Sequence, residues 1–265
     1  MLDDHDFRVL LNHLDRPWSG YRKVRKGVKK RVRRHMNQLS CTTIQDYLTR
    51  IDRHPEVWTQ CQDLLAVTIS RFFRDRQLWA HLQKRILPDL AQRFSERLRA
   101  WSAGCANGEE PYSLFMVAAA AFEAISGMAP IQILATDADT KCLQRAREGR
   151  FTESSLKELP EAFKERWLKP ADEKIWLIDE QLRANIRWEA HQLLDKPPQN
   201  RFHVILLRNN LLTYYQGQKI LTALNGIVDC LEDGGVFIIG SHEHLPPTRR
   251  SMNRDPLCPM IYWVE

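Results

Sequence analysis

From Met1 to about Asp75, apolar residues recur at three- and four-residue intervals and no run alternates as a strand does, so the chain opens with helices. In "GYRKVRKGVKKRVRRHMNQL", residues Tyr21, Val24, Val28, Val32, Met36 and Leu39 fall on one face, which predicts an amphipathic helix with a basic outer side; Gly27 weakens it slightly. "TTIQDYLTRI" predicts a second amphipathic helix, with Thr42 or Thr43 as its N-cap. A further helix is expected from Gln77 to Leu90, ending near Pro88. Beyond it the period changes. "RAWSAG", "IQILATDA", "FHVILLRN" and "GGVFIIGS" are short apolar runs, mostly followed by helical spacing, and that alternation predicts a parallel sheet with helices on both faces. Between the second and third, "KIWLIDEQLRANIRWEA" reads as short strands around a polar turn. No internal repeat or low-complexity segment is visible.

Composition narrows the picture. At 265 residues the chain is long enough for one large domain or a small one joined to a larger one. The longest mostly apolar run, Leu114 to Ile125, is too short for a membrane span, and "MLDDHDFRVLL" has neither the basic start nor the apolar core of a signal peptide, so a cytoplasmic protein without membrane insertion is expected. Six cysteines lie far apart with no paired spacing for zinc, which predicts reduced, mostly buried thiols and no metal site. The formal charge of +6 is concentrated: Arg16 to Arg34 holds ten Lys or Arg and no acid, leaving −4 for the remainder. That segment is either a solvated face or a docking face for an acidic protein; without interleaved aromatics, nucleic acid is not expected.

Ligands of an open parallel sheet bind where strands end and helices begin. The first such joint reads "SAGCANGEE", where Gly104 and Gly108 let backbone approach a ligand and two glutamates follow. It lacks the spacing of a dinucleotide or triphosphate loop, and carboxylates there would repel phosphates, so the joint suits a cationic ligand. The second strand ends in "ATDAD", placing Asp137 either as acceptor for two ribose hydroxyls or as a helix N-cap. The third ends in Arg208, Asn209 and Asn210, followed by "TYY". A ribose-accepting carboxylate, a glycine turn, tolerance of a cation and no phosphate cradle together suggest S-adenosylmethionine. Cys105 is read as a packing thiol rather than a nucleophile, since no partnered histidine is evident. His242 and His244 read as ordinary histidines rather than metal ligands, and the scattered tryptophans as packing rather than a base-stacking platform.

The motifs "VTISRFFRD", "SAGCANGEEPYSL", "ATDADTKCLQRAREGRF", "RNNLLTYY" and "GVFIIGSHE" resemble, in order and approximate spacing, those of the CheR chemotaxis receptor glutamate methyltransferases, and the likeness runs from about Tyr21 to the C-terminus. It implies a Rossmann-like class I methyltransferase sheet with a small β-subdomain near residues 172–188, occupying residues 76–265, after a small all-helical domain over residues 1–75. It also implies S-adenosylmethionine as cofactor, S-adenosylhomocysteine as product, and an acidic protein, a chemoreceptor cytoplasmic region, as partner of a monomeric enzyme. Thr68, Ser70 and Arg74 match positions that contact the cofactor or orient the substrate. Glu110 matches the cofactor-binding glutamate, with Glu109 beside it. Asp137 matches the ribose-binding acid, Gln192 and Leu193 the pair flanking adenine, and Asn209 and Asn210 a pair at the cofactor. Tyr214 matches the family's tyrosine if one residue is inserted before it.

Arg74 and Tyr214 are then the expected catalytic pair, orienting the acceptor carboxylate. The departures are Leu207 before "RNN", the late tyrosine, Asn107 before the glutamates, and "GSHEH" in place of GHSE; most bear on the substrate side. A methyltransferase for another protein or a small molecule, or a cofactor-binding scaffold without catalysis, are the alternative functions.

Overall fold

The first quarter of the chain is helical because its apolar residues keep helical spacing, and two of its helices, the first and the fourth, start on side-chain caps. The computed structural model describes residues 2–94, 97–123 and 131–265. α1 (Asp4–His13) is capped by Asp3, whose carboxylate accepts from the Asp6 N–H at 2.8 Å. α2 (Trp18–Tyr21), α3 (Arg25–Gln38), α4 (Ile44–Arg53) and α5 (Pro55–Leu65) follow. At α4, Thr43 and Asp46 form a reciprocal capping box, and at α5 Pro55 occupies the first turn, where no N–H is needed. These helices bury Phe7, Leu10, Tyr21, Val28, Val32, Met36 and Tyr47 against one another.

Two expectations for this region change. The helix expected across residues 20–39 is broken at 22–24, because Trp18 and Tyr21 turn their rings edge-on to Phe7 and that cluster outweighs local propensity. Regular helix also stops at Leu65 rather than running to Asp75; Val67, Thr68, Ile69 and Ser70 are β-branched or backbone-competing residues that helices disfavour.

α6 (Arg76–His81) runs through a π-helical turn, Leu82–Ile86, into α7 (Leu87–Arg93). Pro88 therefore does not end the helix: it stands in the first turn of α7, just after a widened turn that absorbs its missing donor. The remaining elements are β1 (Arg99–Ala103), α8 (Glu109–Glu123), β2 (Gln132–Asp137), α9 (Thr140–Glu148), β3 (Arg150–Thr152), α10 (Glu161–Trp167), β4 (Leu168–Asp172), β5 (Ile175–Ile178), α11 (Glu180–Ala184), β6 (Ile186–Ala190), β7 (Phe202–Leu207), α12 (Leu211–Tyr214), α13 (Gln218–Val228), β8 (Leu231–Ile239), β9 (Met252–Arg254) and β10 (Ile261–Val264). The apolar run expected through Ile125 is α8 as far as Glu123; Ile125 itself lies outside the described residues.

Among the described residues, the main sheet has seven strands in the order β6-β2-β1-β7-β8-β10-β9. The first five are parallel; β10 runs antiparallel to β8 and to the edge strand β9, so β10 alone is reversed. β1 lies between β2 and β7, so chain order reverses beside it, and a crevice is expected outside the carboxyl ends of β1, β2 and β7. This is a Rossmann-like doubly wound α/β architecture, as expected. A second, three-stranded sheet runs β3-β5-β4. The expected "short strands around a polar turn" are thus divided: Ile175–Ile178 belongs to the small sheet, Glu180–Ala184 is a helix capped by Asp179, and Ile186–Ala190 pairs in parallel with β2 at the edge of the main sheet. The small sheet draws on residues 150–178, because the strand beyond α11 finds its partner in β2.

By contact the chain forms two units. One comprises residues 1–67 with 210–220, hence α1 to α5 and α12; the other comprises residues 68–209 and 221–265, with both sheets. The second has its own core, in which Trp79, Leu82, Ala100, Tyr112, Leu114, Ile133, Leu206 and Ile238 are almost fully enclosed. All six cysteines are buried and unpaired, as their scatter predicts. No helix among the described residues is long and apolar enough to cross a membrane.

Candidate active site

The joint after β1 is a left-handed turn held by the neighbouring strand. Gly104 (φ 81°), Ala106 (φ 49°) and Gly108 (φ 96°) all have positive φ. The N–H groups of Gly104 and Cys105 both donate to the Thr136 carbonyl, at 2.8 and 2.9 Å. Gly108 has no room for a side chain: a Cβ would lie 2.9 Å from both Ala146 and the Trp188 ring. A non-glycine residue at positive φ carries strain, so Ala106 marks a place where the surroundings dictate the backbone. Here the dictating group is Asp137, whose Oδ2 accepts the Ala106 N–H at 2.8 Å while Oδ1 accepts that of Asp139 at 2.9 Å. Burial pushes the Asp137 carboxyl up, and these backbone donors oppose that shift. It is Asp139, not Asp137, that caps α9, which leaves Asp137 at the strand end. The Asp137 carbonyl takes the His191 N–H at 3.0 Å, fixing the segment that carries Gln192, exposed, and Leu193, buried.

The two glutamates that follow have different surroundings. Glu109 is 4% exposed, bonded to Ser70, and has no partner for its Oε2. Burial raises it to about 7. Glu110 accepts from Ser102 Oγ at 2.7 Å and pairs with Arg208 Nη1 at 2.9 Å. Arg208 is itself buried; its Nη2 donates to Asp75 Oδ2 at 2.7 Å and to the Arg74 carbonyl at 3.1 Å. One guanidinium thus faces two carboxylates, and the cluster retains a negative charge.

The segment before α6 is fixed through its backbone. Phe72 and Phe73 anchor it in the core; Phe73 (φ 54°) donates its N–H to Ser113 Oγ at 3.1 Å, and Asp75 (φ 65°) is also left-handed. The Arg74 carbonyl receives Trp79 Nε1 at 2.7 Å as well as Arg208. Its guanidinium, half-buried, has no hydrogen-bond or ion-pair partner among the described residues, so a fixed backbone carries an uncommitted cation. Thr68 is tied to the glycine turn through its carbonyl, which accepts Asn107 Nδ2 at 3.3 Å.

Thr68, Ser70, Arg74, Gly104, Glu110, Asp137, Gln192, Leu193 and Asn209 all belong to the sheet-bearing unit: Glu110 lies in the first turn of α8, Asp137 ends β2, and the others lie on the segments between elements. Asn210 and Tyr214 belong to the helical unit: Asn210 caps α12, and the Tyr214 ring packs edge-on to Tyr21 with centroids 5.2 Å apart. Sequence reasoning missed Asp75 and Ser102, and gave Arg208 no role. Only Arg208 left a trace, as a charge closing an otherwise apolar strand. Cys105 is fully enclosed and its thiol is raised by burial, which agrees with a packing role. His242 and His244 are exposed, and among the described residues no three potential metal ligands converge.

The donor set fits S-adenosylmethionine on this structure's own terms. An orphaned buried carboxylate oxygen, a cluster with one carboxylate in excess, and a strand-end aspartate with lone pairs to spare favour a cation carrying a ribose.

Residues 68–256 match the family model described as "CheR methyltransferase, SAM binding domain". The chemotaxis protein methyltransferase of Listeria monocytogenes is 29% identical over 218 residues, covering 82% of this chain and 81% of the relative. The chemotaxis protein methyltransferase Cher2 of Pseudomonas putida is 26% identical over 251 residues, covering 92% and 90%. Among solved structures, the N-methyltransferase NodS from Bradyrhizobium japonicum in complex with S-adenosyl-L-homocysteine aligns over 61% of each chain at 16% identity, with a TM-score of 0.34.

Proposed function

The chain belongs to the CheR methyltransferase family, an S-adenosylmethionine-dependent methyltransferase family, and from that premise we propose that it methylates glutamate side chains of chemoreceptor-like proteins, forming methyl esters. The observation that carries this reading is the surplus of carboxylate over guanidinium at the ends of β1 and β7, where Asp75 and Glu110 share Arg208. When bound, S-adenosylmethionine supplies a methyl group on a positively charged sulfur. Asp137 would hold its ribose hydroxyls, Gln192 and Leu193 would flank its base, and Glu110 with Thr68, Ser70, Gly104, Asn209 and Asn210 would line the rest.

The acceptor needs little activation. A glutamate with a pKa near about 4.3 is already ionised at neutral pH, so no general base is required. Positioning and exclusion of water are what remain for the protein to supply. Arg74 suits the first task, because a guanidinium on a fixed backbone can hold one carboxylate oxygen and leave the other to attack. Tyr214 is proposed to donate a hydrogen bond to the same acceptor. The unpaired basic residues of α3 are proposed to attract an acidic protein surface.

Isothermal titration with S-adenosylhomocysteine, comparing wild type with Asp137→Ala, tests the pocket. Micromolar binding is expected, weakened by about tenfold or more in the variant. Labelled methyl transfer to acidic receptor fragments, followed by release with mild base, tests the ester. Transfer that resists base would point to nitrogen rather than carboxylate as acceptor. Arg74→Ala turning over normally at saturating acceptor would remove Arg74 from its role.

A further inference from the structure

Glu243 is a buried carboxylate that none of the roles above uses. It is 8% exposed, and its Oε2 accepts two backbone N–H groups, Asn209 at 2.9 Å and Gly240 at 2.7 Å. Gly240 directly follows β8, and Asn209 lies two residues past β7; those strands are parallel neighbours, with Leu207 paired to Ile239 at their last registered position. One oxygen therefore staples two strand ends, using donors just beyond the ladder that would otherwise be buried without partners.

Two features show how closely the staple is fitted. Asn209 has φ 57°, a left-handed conformation that asparagine tolerates better than most L-residues and that the bond from its N–H to Glu243 holds in place. Gly240 has no room for a side chain: a Cβ would lie 2.8 Å from Asn209 Oδ1 and 2.8 Å from Glu243 Oε2. Ser241 and His242, between them, are exposed. The first and last residues of "GSHE" carry the structure and the middle two do not.

We propose that Glu243 is a positioning residue for cofactor binding: it holds Asn209 in the left-handed conformation that presents this residue to the cofactor, and Gly240 provides the space. The inference rests on the assignment of Asn209 to the cofactor made above. The clamp is geometric, so a neutral acceptor of the same length serves as well as a carboxylate.

Titration of the full chain with S-adenosylhomocysteine, well below each variant's unfolding midpoint, tests this with Glu243→Gln, Glu243→Ala, Gly240→Ala and Asn209→Ala. Glu243→Gln, whose amide oxygen can accept both N–H groups, is expected to stay within about threefold of wild type, while Glu243→Ala and Gly240→Ala weaken binding by about tenfold or more. A folded Glu243→Ala with wild-type affinity overturns the proposal if Asn209→Ala binds weakly. Glu243→Gln binding as poorly as Glu243→Ala overturns it too, by showing that charge and not geometry matters. Wild-type affinity in Asn209→Ala instead removes the underlying assignment of Asn209. Should Glu243→Ala fail to fold, Gly240→Ala carries the same test, and wild-type affinity there overturns the clamp.

Discussion

Glu109 and Glu110 are adjacent in sequence, yet an ion pair balances one and burial isolates the other. Removing a carboxylate from water without a cation beside it favours the protonated form, which is why Glu109 rises to about 7. The folded state then holds one more proton than the unfolded chain between the ordinary carboxylate range and about pH 7, so stability falls as pH rises through that window. The contribution is fully present below the unfolded value and lost above the folded one. A shift of this size corresponds to a cost on the order of 3 kcal/mol at alkaline pH. Urea midpoints measured at about pH 5 and about pH 8 should show this slope in wild type and a flatter one in Glu109→Gln. Equal slopes in the two proteins would mean that Glu109 stays ionised throughout. Asp137 and the glutamates drew notice in the sequence because carboxylates stand beside a glycine turn and at a strand end, and the structure separates the cap, Asp139, from Asp137. The inward turn of Glu243 was not legible, because a glutamate between two histidines in a polar loop gives no sign of it.

At the scale of elements, strands were easier to read than the helices that meet them. A nearly continuous apolar run such as Phe202–Leu207, interrupted only by His203, has one solution in a parallel sheet, buried on both faces. The helix across Pro88 was misread because sequence pattern does not reveal a π-turn that accommodates a proline. The packing of α2 against α12 was equally hidden, since it joins residues almost two hundred positions apart. Gly20 carries that contact: a Cβ would fall 2.2 Å from the Thr213 carbonyl oxygen. Around it, Arg16 donates to the Tyr214 carbonyl at 3.1 Å and lies over the Tyr215 ring with its guanidinium carbon 3.5 Å from the centroid. Backbone cannot yield as a flexible side chain does, so Gly20→Ala should destabilise the helical unit by about 1–3 kcal/mol, read as a lower urea midpoint. An unchanged midpoint would show that α12 is free to move aside.

Over the whole molecule the deciding quantity is where the positive charge remains uncommitted. Not all of the basic segment is available. Arg25 and Lys29 pair with Asp4, and Arg31 donates to the Leu64 and Ala66 carbonyls at the end of α5. Lys26, Lys30, Arg33 and Arg34 have no ion-pair or hydrogen-bond partner among the described residues, and three of these four are exposed. Solvated charges on one helix face act over a Debye length of about 10 Å at 0.1 M salt, far enough to steer an acidic protein and too exposed to add much to fold stability. The sequence located this charge but not its division, because pairing with Asp4 depends on how α1 packs against α3. If the free residues attract the acceptor, kcat/KM for an acidic protein substrate should fall as salt rises from low to moderate levels, while affinity for S-adenosylhomocysteine stays level. Lys26→Gln combined with Lys30→Gln should lower the low-salt value several-fold and flatten the salt dependence, without shifting the urea midpoint. A salt-independent kcat/KM in wild type would assign the face to solvation alone, and acceptor recognition would then have to reside elsewhere in the chain.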